Sequence, residues 1–380
     1  MVEWKKLGEV CKRNKGIPIT AGQMSELAVP NGNVRVFAAG QTIADINGAD
    51  LPINCAYKKP SIIVKSRGYI DFEFYEKPFT HKNEMWSYSF DNKEQGKYIF
   101  YYLTTKTELF RKKARANSVK LPQLCVADTD NFYIPLPSLS EQERIVGILD
   151  TFTSSIENLK AQISLRRKQY EHYRDKLLDR EGKPGVEMKT LLDVLEQPIT
   201  DGPHETPIFY DEGVPFISAD AIVKNNIDFN RKRGYISIEY DNICRKKYFP
   251  RLNDIYLVKS GSTTGKVAIV KTNERFNIWS PLAAIRVNKD NSPYFIFYIL
   301  QTKQVQEQVR LKSSQGSQPN LSMRALEKFI IPLPSLEEQS RIVSILDEFE
   351  ASIKNLEAQL EAREKQYEYY REKLLTFERE

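Results

Sequence analysis

The sequence states one passage twice. Ile134-Pro-Leu-Pro-Ser-Leu-Ser-Glu-Gln-Glu-Arg-Ile-Val-Gly-Ile-Leu-Asp150 returns as Ile331-Pro-Leu-Pro-Ser-Leu-Glu-Glu-Gln-Ser-Arg-Ile-Val-Ser-Ile-Leu-Asp347. The offset of 197 holds without a gap to Leu178 and Leu375, with 31 of the 45 paired positions identical. A repeat of this length dominates any reading of the fold, because two copies of one element need two like environments.

Each copy announces a long helix. Pro135 and Pro137 cannot lie inside one, so the helix starts after them. Ser138 with Glu141, and Ser335 with Glu338, have capping-box spacing. Apolar residues then recur at steps of four and three: Ile145, Leu149, Phe152, Ile156, Leu159, Ile163, Tyr170, Tyr173 and Leu177 in the first copy. The second gives Ile342, Leu346, Phe349, Ile353, Leu356, Leu360, Tyr367, Tyr370 and Leu374. This is a heptad seam, and it implies a helical partner. Arg166 and Arg363 interrupt both seams at the same step, either as register markers or as solvent-reaching stems. Gly182 and Pro184 punctuate the end of the first helix. At 1.5 Å per residue each helix is roughly 60 Å long. The ends of a compact domain usually lie close together, so the second helix starts near where the first stops and the pair runs antiparallel.

A chain of 380 residues with 41% hydrophobic content suffices for more than one core. Mean hydropathy is −0.49, and neither a spanning apolar run nor a signal-peptide apolar region is present. Cys11, Cys55, Cys125 and Cys244 stand apart without C-x-x-C spacing, which predicts buried free thiols in a reducing cytoplasm. The net charge of +6 permits a nucleic-acid partner without requiring one.

The repeat extends beyond the helices. Val2-Glu-Trp-Lys-Lys-Leu-Gly-Glu-Val10 resembles Val186-Glu-Met-Lys-Thr-Leu-Leu-Asp-Val194, and Tyr101-Tyr-Leu-Thr-Thr-Lys106 resembles Tyr298-Ile-Leu-Gln-Thr-Lys303. Trp86-Ser87 echoes Trp279-Ser280, and Pro122-Gln-Leu124 echoes Pro319-Asn-Leu321. Residues 61–72 and 254–270 each read as strand, glycine turn, strand. Residues 98–114 and 294–311 each read as one amphipathic helix, with its tyrosines in the core. The expected fold is α+β: two mixed globular domains separated by a pair of long antiparallel coiled-coil helices, with an internal pseudo-twofold repeat. The expected bounds are 1–137 and 186–334 for the globular domains, 138–180 and 335–380 for the helices, and 181–185 for the linker.

Enzyme motifs are missing. Gly261-Ser-Thr-Thr-Gly265-Lys266 is one residue short of a phosphate-binding loop, and a strand pattern follows where a helix is required, so a hairpin turn is expected. No dinucleotide fingerprint, no H-E-x-x-H and no methyltransferase Asn/Asp-Pro-Pro-Tyr occurs. His81, His172 and His204 lack neighbours at metal spacing.

The duplicated Ile-Pro-Leu-Pro-Ser-Leu-x-Glu-Gln-x-Arg-Ile-Val-x-Ile-Leu-Asp, closing two diverged globular regions, resembles the specificity (S) subunits of type I restriction-modification systems. Asp201-Gly-Pro-His-Glu-Thr-Pro207, Gly213-Val-Pro-Phe-Ile-Ser218, Lys65-Ser-Arg-Gly68, Lys259-Ser-Gly261 and Gly316-Ser-Gln-Pro-Asn-Leu321 resemble elements of that family's target-recognition domains. Ala116-Asn-Ser-Val-Lys-Leu121 departs from the pattern by lacking the glycine found at Gly316. The resemblance implies a non-catalytic, cytoplasmic protein in which each domain reads one half of a bipartite double-stranded DNA site. It implies that the helices set the gap and dock two methyltransferase (M) subunits, with restriction (R) subunits added. S-adenosylmethionine, ATP and Mg are then expected on those partners, and no cofactor or metal on this chain.

Base edges are read by side chains on loops, while cationic and small polar groups hold phosphates. In the first domain the candidates are Lys65, Ser66, Arg67, Tyr69, Lys82, Asn83, Arg115, Asn117 and Lys120. In the second they are Lys224, Arg231, Lys232, Arg233, Lys259, Ser260, Thr263, Thr264, Lys266, Gln315, Ser317 and Gln318. A rival reading is a scaffold whose coiled coil spaces two protein-binding domains; a steep fall of DNA affinity with salt separates the two.

Overall fold

The computed structural model describes residues 2–52, 55–118, 120–314 and 318–378. The repeated passage forms two helices of 40 residues each, Leu139–Leu178 and Leu336–Leu375. The chain divides into two units, 1–161 with 358–380 and 162–357, and these limits fall inside the helices. The reason is packing. Ile145, Val146, Leu149 and Leu375 share a core with the first globular region, whereas Tyr170, Leu178, Ile342 and Leu346 share one with the second.

In the unit containing the N-terminal region, Glu3–Lys6 pairs antiparallel with Tyr133–Leu136. A four-stranded antiparallel sheet follows the order Lys12–Lys15, Trp86–Ser89, Ser61–Lys65, Asp71–Tyr75. A second sheet places Val34–Phe37 between antiparallel Ile43–Ile46 and parallel Phe79–His81. Helices Lys93–Thr105 and Thr107–Asn117 contribute to the main core with Ile62, Val64, Tyr98 and Phe110. The helix segments run antiparallel: Phe152 stacks on Tyr370 at 5.5 Å, and Lys160 pairs with Glu364 at 2.9 Å, so the partner number falls as the first rises.

In the unit 162–357, Glu187–Thr190 pairs antiparallel with Ile330–Leu333. Its four-stranded sheet runs Thr200–Asp201, Leu282–Ile285, Ile255–Val258, Val267–Ile269, again antiparallel. Val214–Ile217 lies between antiparallel Gly234–Ile236 and parallel Asn277–Ile278. The topology therefore repeats strand for strand. A short hairpin, Ile222–Val223 with Asn226–Ile227, is added, its turn formed by Lys224 and Asn225 at positive φ. Here too the helix segments are antiparallel, with contacts Arg167–Glu357, Tyr173–Phe349 and Arg180–Glu338.

Several expectations need correction. Residues 98–114 and 294–311 are each two helices; the second region gives Pro293–Ile299 and Lys303–Lys312. The break falls at the echoed Thr-Lys. Thr105 Oγ donates back to Tyr102 O at 2.7 Å, and Thr302 Oγ donates to Ile299 O at 2.8 Å, competing with the backbone ladder. The capping box is only half formed. Glu141 N and Glu338 N donate to Ser138 and Ser335 Oγ at 3.4 Å, but each carboxylate turns to the arginine three residues on, Arg144 or Arg341. Gln142 and Gln339, nearly fully buried, tie the proline segment instead, donating to Pro137 O and Pro334 O. None of the four cysteines is fully buried: Cys11, Cys55 and Cys244 are half-buried and Cys125 is exposed.

The seam is not uniformly buried. Ile145, Leu149, Ile156, Ile163, Tyr170, Ile342 and Leu346 are buried, and Phe152, Leu159, Leu177, Phe349, Ile353, Leu356, Leu360, Tyr367 and Leu374 are partly so. Tyr173 and Tyr370 are 44% and 41% exposed. They hold seam positions because one face of each ring stacks on Phe349 or Phe152. The repeated arginines cover the same phenylalanines, Arg166 over Phe349 at 5.9 Å and Arg363 over Phe152 at 5.6 Å.

Candidate nucleic-acid interface

The four-stranded sheet of the first unit ends in loops that hydrogen-bond to one another. Gly68 N donates to Pro122 O at 2.8 Å and Leu124 N to Ser66 O at 2.8 Å, which sets Arg67 opposite Gln123. Ile17 N and Asn83 N bind across residues 17 and 81–83, at 2.8 and 3.0 Å. Gly68, at φ +75°, allows the turn that a side-chain-bearing residue would strain. Lys65–Tyr69 and residues 122–124 are thereby brought together, and Ser66 Oγ, donating to Glu84 O at 2.7 Å, ties Lys82–Asn83 to them.

Their side chains divide into two groups. Arg67, Tyr69, Asn83, Arg115 and Lys120 are exposed. Lys65 is paired with Glu73 at 2.8 Å, Lys82 with Glu84 at 3.1 Å, and Asn117 donates to Asp128 at 2.8 Å. Ser66 is fully buried and donates to Glu84 O, so its role is to hold the loop. Beside the loops, His81 lies stacked against Tyr57, and burial pushes its pKa down to about 4, so it brings no charge at neutral pH.

In the unit 162–357 the same bridge recurs. Gly261 N donates to Pro319 O at 3.0 Å and Leu321 N to Lys259 O at 2.7 Å, setting Ser260 opposite Asn320. Ser260 thus matches Arg67 and Lys259 matches Ser66, so the shared Lys-Ser of the two sequences does not superpose in the bridge; the loop between the two strands is shorter in the first unit, residues 66–70 against 259–266. Gly261–Lys266 is the hairpin turn between Ile255–Val258 and Val267–Ile269, with no helix behind it to bind a nucleotide phosphate. Thr264 is fastened to Gly261 O, Thr263 is half-buried, and Ser260 is half-buried in the bridge. Lys266 and Gln318 are exposed. Gln315 and Ser317 lie outside the described residues.

Three basic residues gather elsewhere on this unit. Arg231 pairs with Asp228 at 3.4 Å, Lys232 lies over Tyr235, and Arg233 sits over Trp279 while pairing with Asp220 at 3.2 Å. Two candidates have a structural engagement instead. Lys224, on its own hairpin, reaches Glu357 of the long helix at 3.8 Å. Lys259 is only 9% exposed and faces the buried Asp201.

Sequence reasoning passed over Asn14, Asp201, Lys247 and Trp279. Asn14 and Asp201 are both buried on edge strands, opposite Ser87 and Ala283, but on opposite faces of the repeated sheet; the register pairs Asp201 with Lys15 and Gly202 with Gly16. A signal existed only for Asp201, in the Asp-Gly-Pro-His segment; its partner Lys247 is 46 residues away.

Among the described residues no group of three or more His, Cys, Asp or Glu is placed to hold a metal ion, and no helix is long and apolar enough to cross a membrane. A family model described as the type I restriction modification DNA specificity domain matches twice, over residues 1–166 and 185–363. The chain belongs to that family.

Similar proteins include the specificity subunit of the type I restriction enzyme EcoR124I/EcoR124II of Escherichia coli, 30% identical over 99% of this chain and 94% of that protein. The specificity subunit of the EcoBI enzyme of the same species is 26% identical over 69% of this chain and 60% of that protein. The fold resembles the crystal structure of an S subunit from M. genitalium, with a TM-score of 0.62, 16% identity, and coverage of 100% of this chain and 97% of that one. It also resembles a chain from a study of complex assembly and conformational transition in a type I system, with a TM-score of 0.57, 18% identity, and coverage of 98% and 96%. As a member of the specificity family the chain is a non-catalytic, DNA-directing component whose two matched regions each take in a globular part and the first portion of the long helix that follows it.

Proposed function

We propose that each globular region, 1–137 and 186–334, reads one half of a bipartite double-stranded DNA site. The helices 138–180 and 335–380, joined to the second region through residues 181–185, set the unread gap. The observation that carries this is the strand-for-strand repeat of topology, each copy ending in its own cluster of bridged loops with exposed cationic and polar side chains. Two methyltransferase subunits dock on the helices and bring S-adenosylmethionine; restriction subunits add ATP- and Mg-dependent cleavage, all in the cytoplasm. Sequencing the methylated bases of a strain that carries this gene with its methyltransferase partner tests the reading. The expected result is a split motif with a fixed gap and a methylated adenine in each half. A contiguous motif, or methylation that persists when this gene alone is deleted, overturns it.

A further inference from the structure

Asp201 poses a chemical question. It is an edge-strand carboxylate, 1% exposed and surrounded by three basic side chains. The register gives it Lys15 as counterpart in the first unit, an exposed side chain, with Gly16 answering to Gly202, so the fold itself does not call for a buried carboxylate there. Lys247 Nζ lies 2.5 Å from Oδ1, while His204 Nε2 and Lys259 Nζ lie 3.2 and 3.4 Å from Oδ2.

One cation neutralises one buried carboxylate. Lys259, itself nearly buried, does that from the adjacent loop. Lys247 donates to Asp201 Oδ1 from the solvent side, with His204 beside it; their side chains are 54% and 71% exposed. Even without His204, two lysines against one carboxylate leave a net positive charge. The cluster is also fixed in place. Gly202 lies so near Ile278 O that a Cβ would stand 1.9 Å from it, and Ser280 N donates to Pro203 O at 3.2 Å. Lys259 N donates to Pro281 O, and its own carbonyl takes Leu321 N, which ties the cluster to the bridged loops.

We propose that Lys247 and the adjacent His204 form a phosphodiester-binding site in this unit, with Asp201 as the positioning residue that holds Lys247. This rests on the DNA reading above and adds a named contact for this unit. A phosphate contact sets the protein's position on the duplex without reading bases. A carboxylate behind the donors fixes their geometry before DNA arrives.

The test uses the full chain in complex with its methyltransferase subunit and a duplex carrying the methylated motif. Its affinity is followed as salt is varied. Lys247→Gln should weaken binding by a factor of about 3–10 and make the logarithmic salt slope shallower by about 1, with the methylated sequence unchanged. Lys247→Arg should restore both, and Lys246→Gln, one residue away and exposed, should leave both unaltered. Asp201→Asn should give the Lys247→Gln slope, and combining the two should add nothing. An unchanged slope for Lys247→Gln, an equal loss for Lys246→Gln, or additive losses with Asp201→Asn overturns the proposal. Should Asp201→Asn fail to fold, the Lys247 series decides alone. Failure of the parent complex to bind any duplex sinks the DNA reading instead, so the two failures are distinguishable.

Discussion

Tyr101 and Tyr298 show what single residues contribute. Each lies in a short helix and donates its hydroxyl to an aspartate of the long helix in its own unit, Tyr101 to Asp150 at 2.6 Å and Tyr298 to Asp347 at 2.5 Å. Asp150 also pairs with Lys97 at 2.5 Å, so it keeps a partner if the tyrosine is changed. Tyr298→Phe should therefore destabilise its unit by about 1–2 kcal/mol and Tyr101→Phe by less, compared by thermal melting of the two variants. Glu350 gives a pH-dependent case. Burial raises its pKa above the ordinary carboxylate range, while the aligned residue of the other helix is Thr153. The folded state then favours the protonated form, so the stabilising contribution is present at low pH and lost as pH rises past about 4.5. Glu350→Gln should raise the melting temperature at pH 8, and the gain should vanish near pH 4. At the interface, Arg67 is exposed while Lys65 is neutralised by Glu73. Arg67→Ala should weaken duplex binding about 3–10-fold, and Lys65→Ala should change it little, as measured by titration at fixed salt.

At the scale of the element, the two helices share the aromatic residues of their seam and differ in the charges that flank it. Lys160 aligns with Glu357 and Arg167 with Glu364, and the contacts formed are Lys160–Glu364 and Arg167–Glu357. A pairing of two first helices in the same register would oppose Lys160 to Arg167. The differences thus select the heterotypic pair, as flanking charges do in coiled coils. Lys160→Glu should lower stability by about 0.5 kcal/mol, modest because both side chains are largely exposed, and Lys160→Glu with Glu364→Lys should restore it. Denaturant titration of the single and double variants checks this. A double variant no more stable than the single one contradicts the pairing.

For the whole molecule, the two units share a strand order but not their loops. Each has its own core and its own bridged loop cluster, so reading should be modular. Replacing residues 12–132 by the equivalent region of a relative should change one half of the methylated motif and leave the other half and the gap intact. Methylome sequencing reads the outcome directly, and a change in both halves counts against independent reading.

The sequence by itself determined the repeat, the two long helices, the seam and the hairpins at 61–72 and 254–270, because these rest on periodicity and turn chemistry within short windows. It also carried the family, through a motif stated twice. Antiparallel pairing followed from chain connectivity, and each unit's ring and charge contacts bear it out. The loop clusters were legible as a set of residues but not as a set of roles. Whether Lys65 is free or paired with Glu73, or Lys259 exposed or buried against Asp201, depends on partners brought in by sheet pairing. The split of each amphipathic helix at its Thr-Lys step was written in the echo itself, yet periodicity across the break concealed it. Only the tertiary structure could bury Asp201 and set Lys247 beside it, because burial and charge compensation are properties of the assembled site and not of any window of sequence.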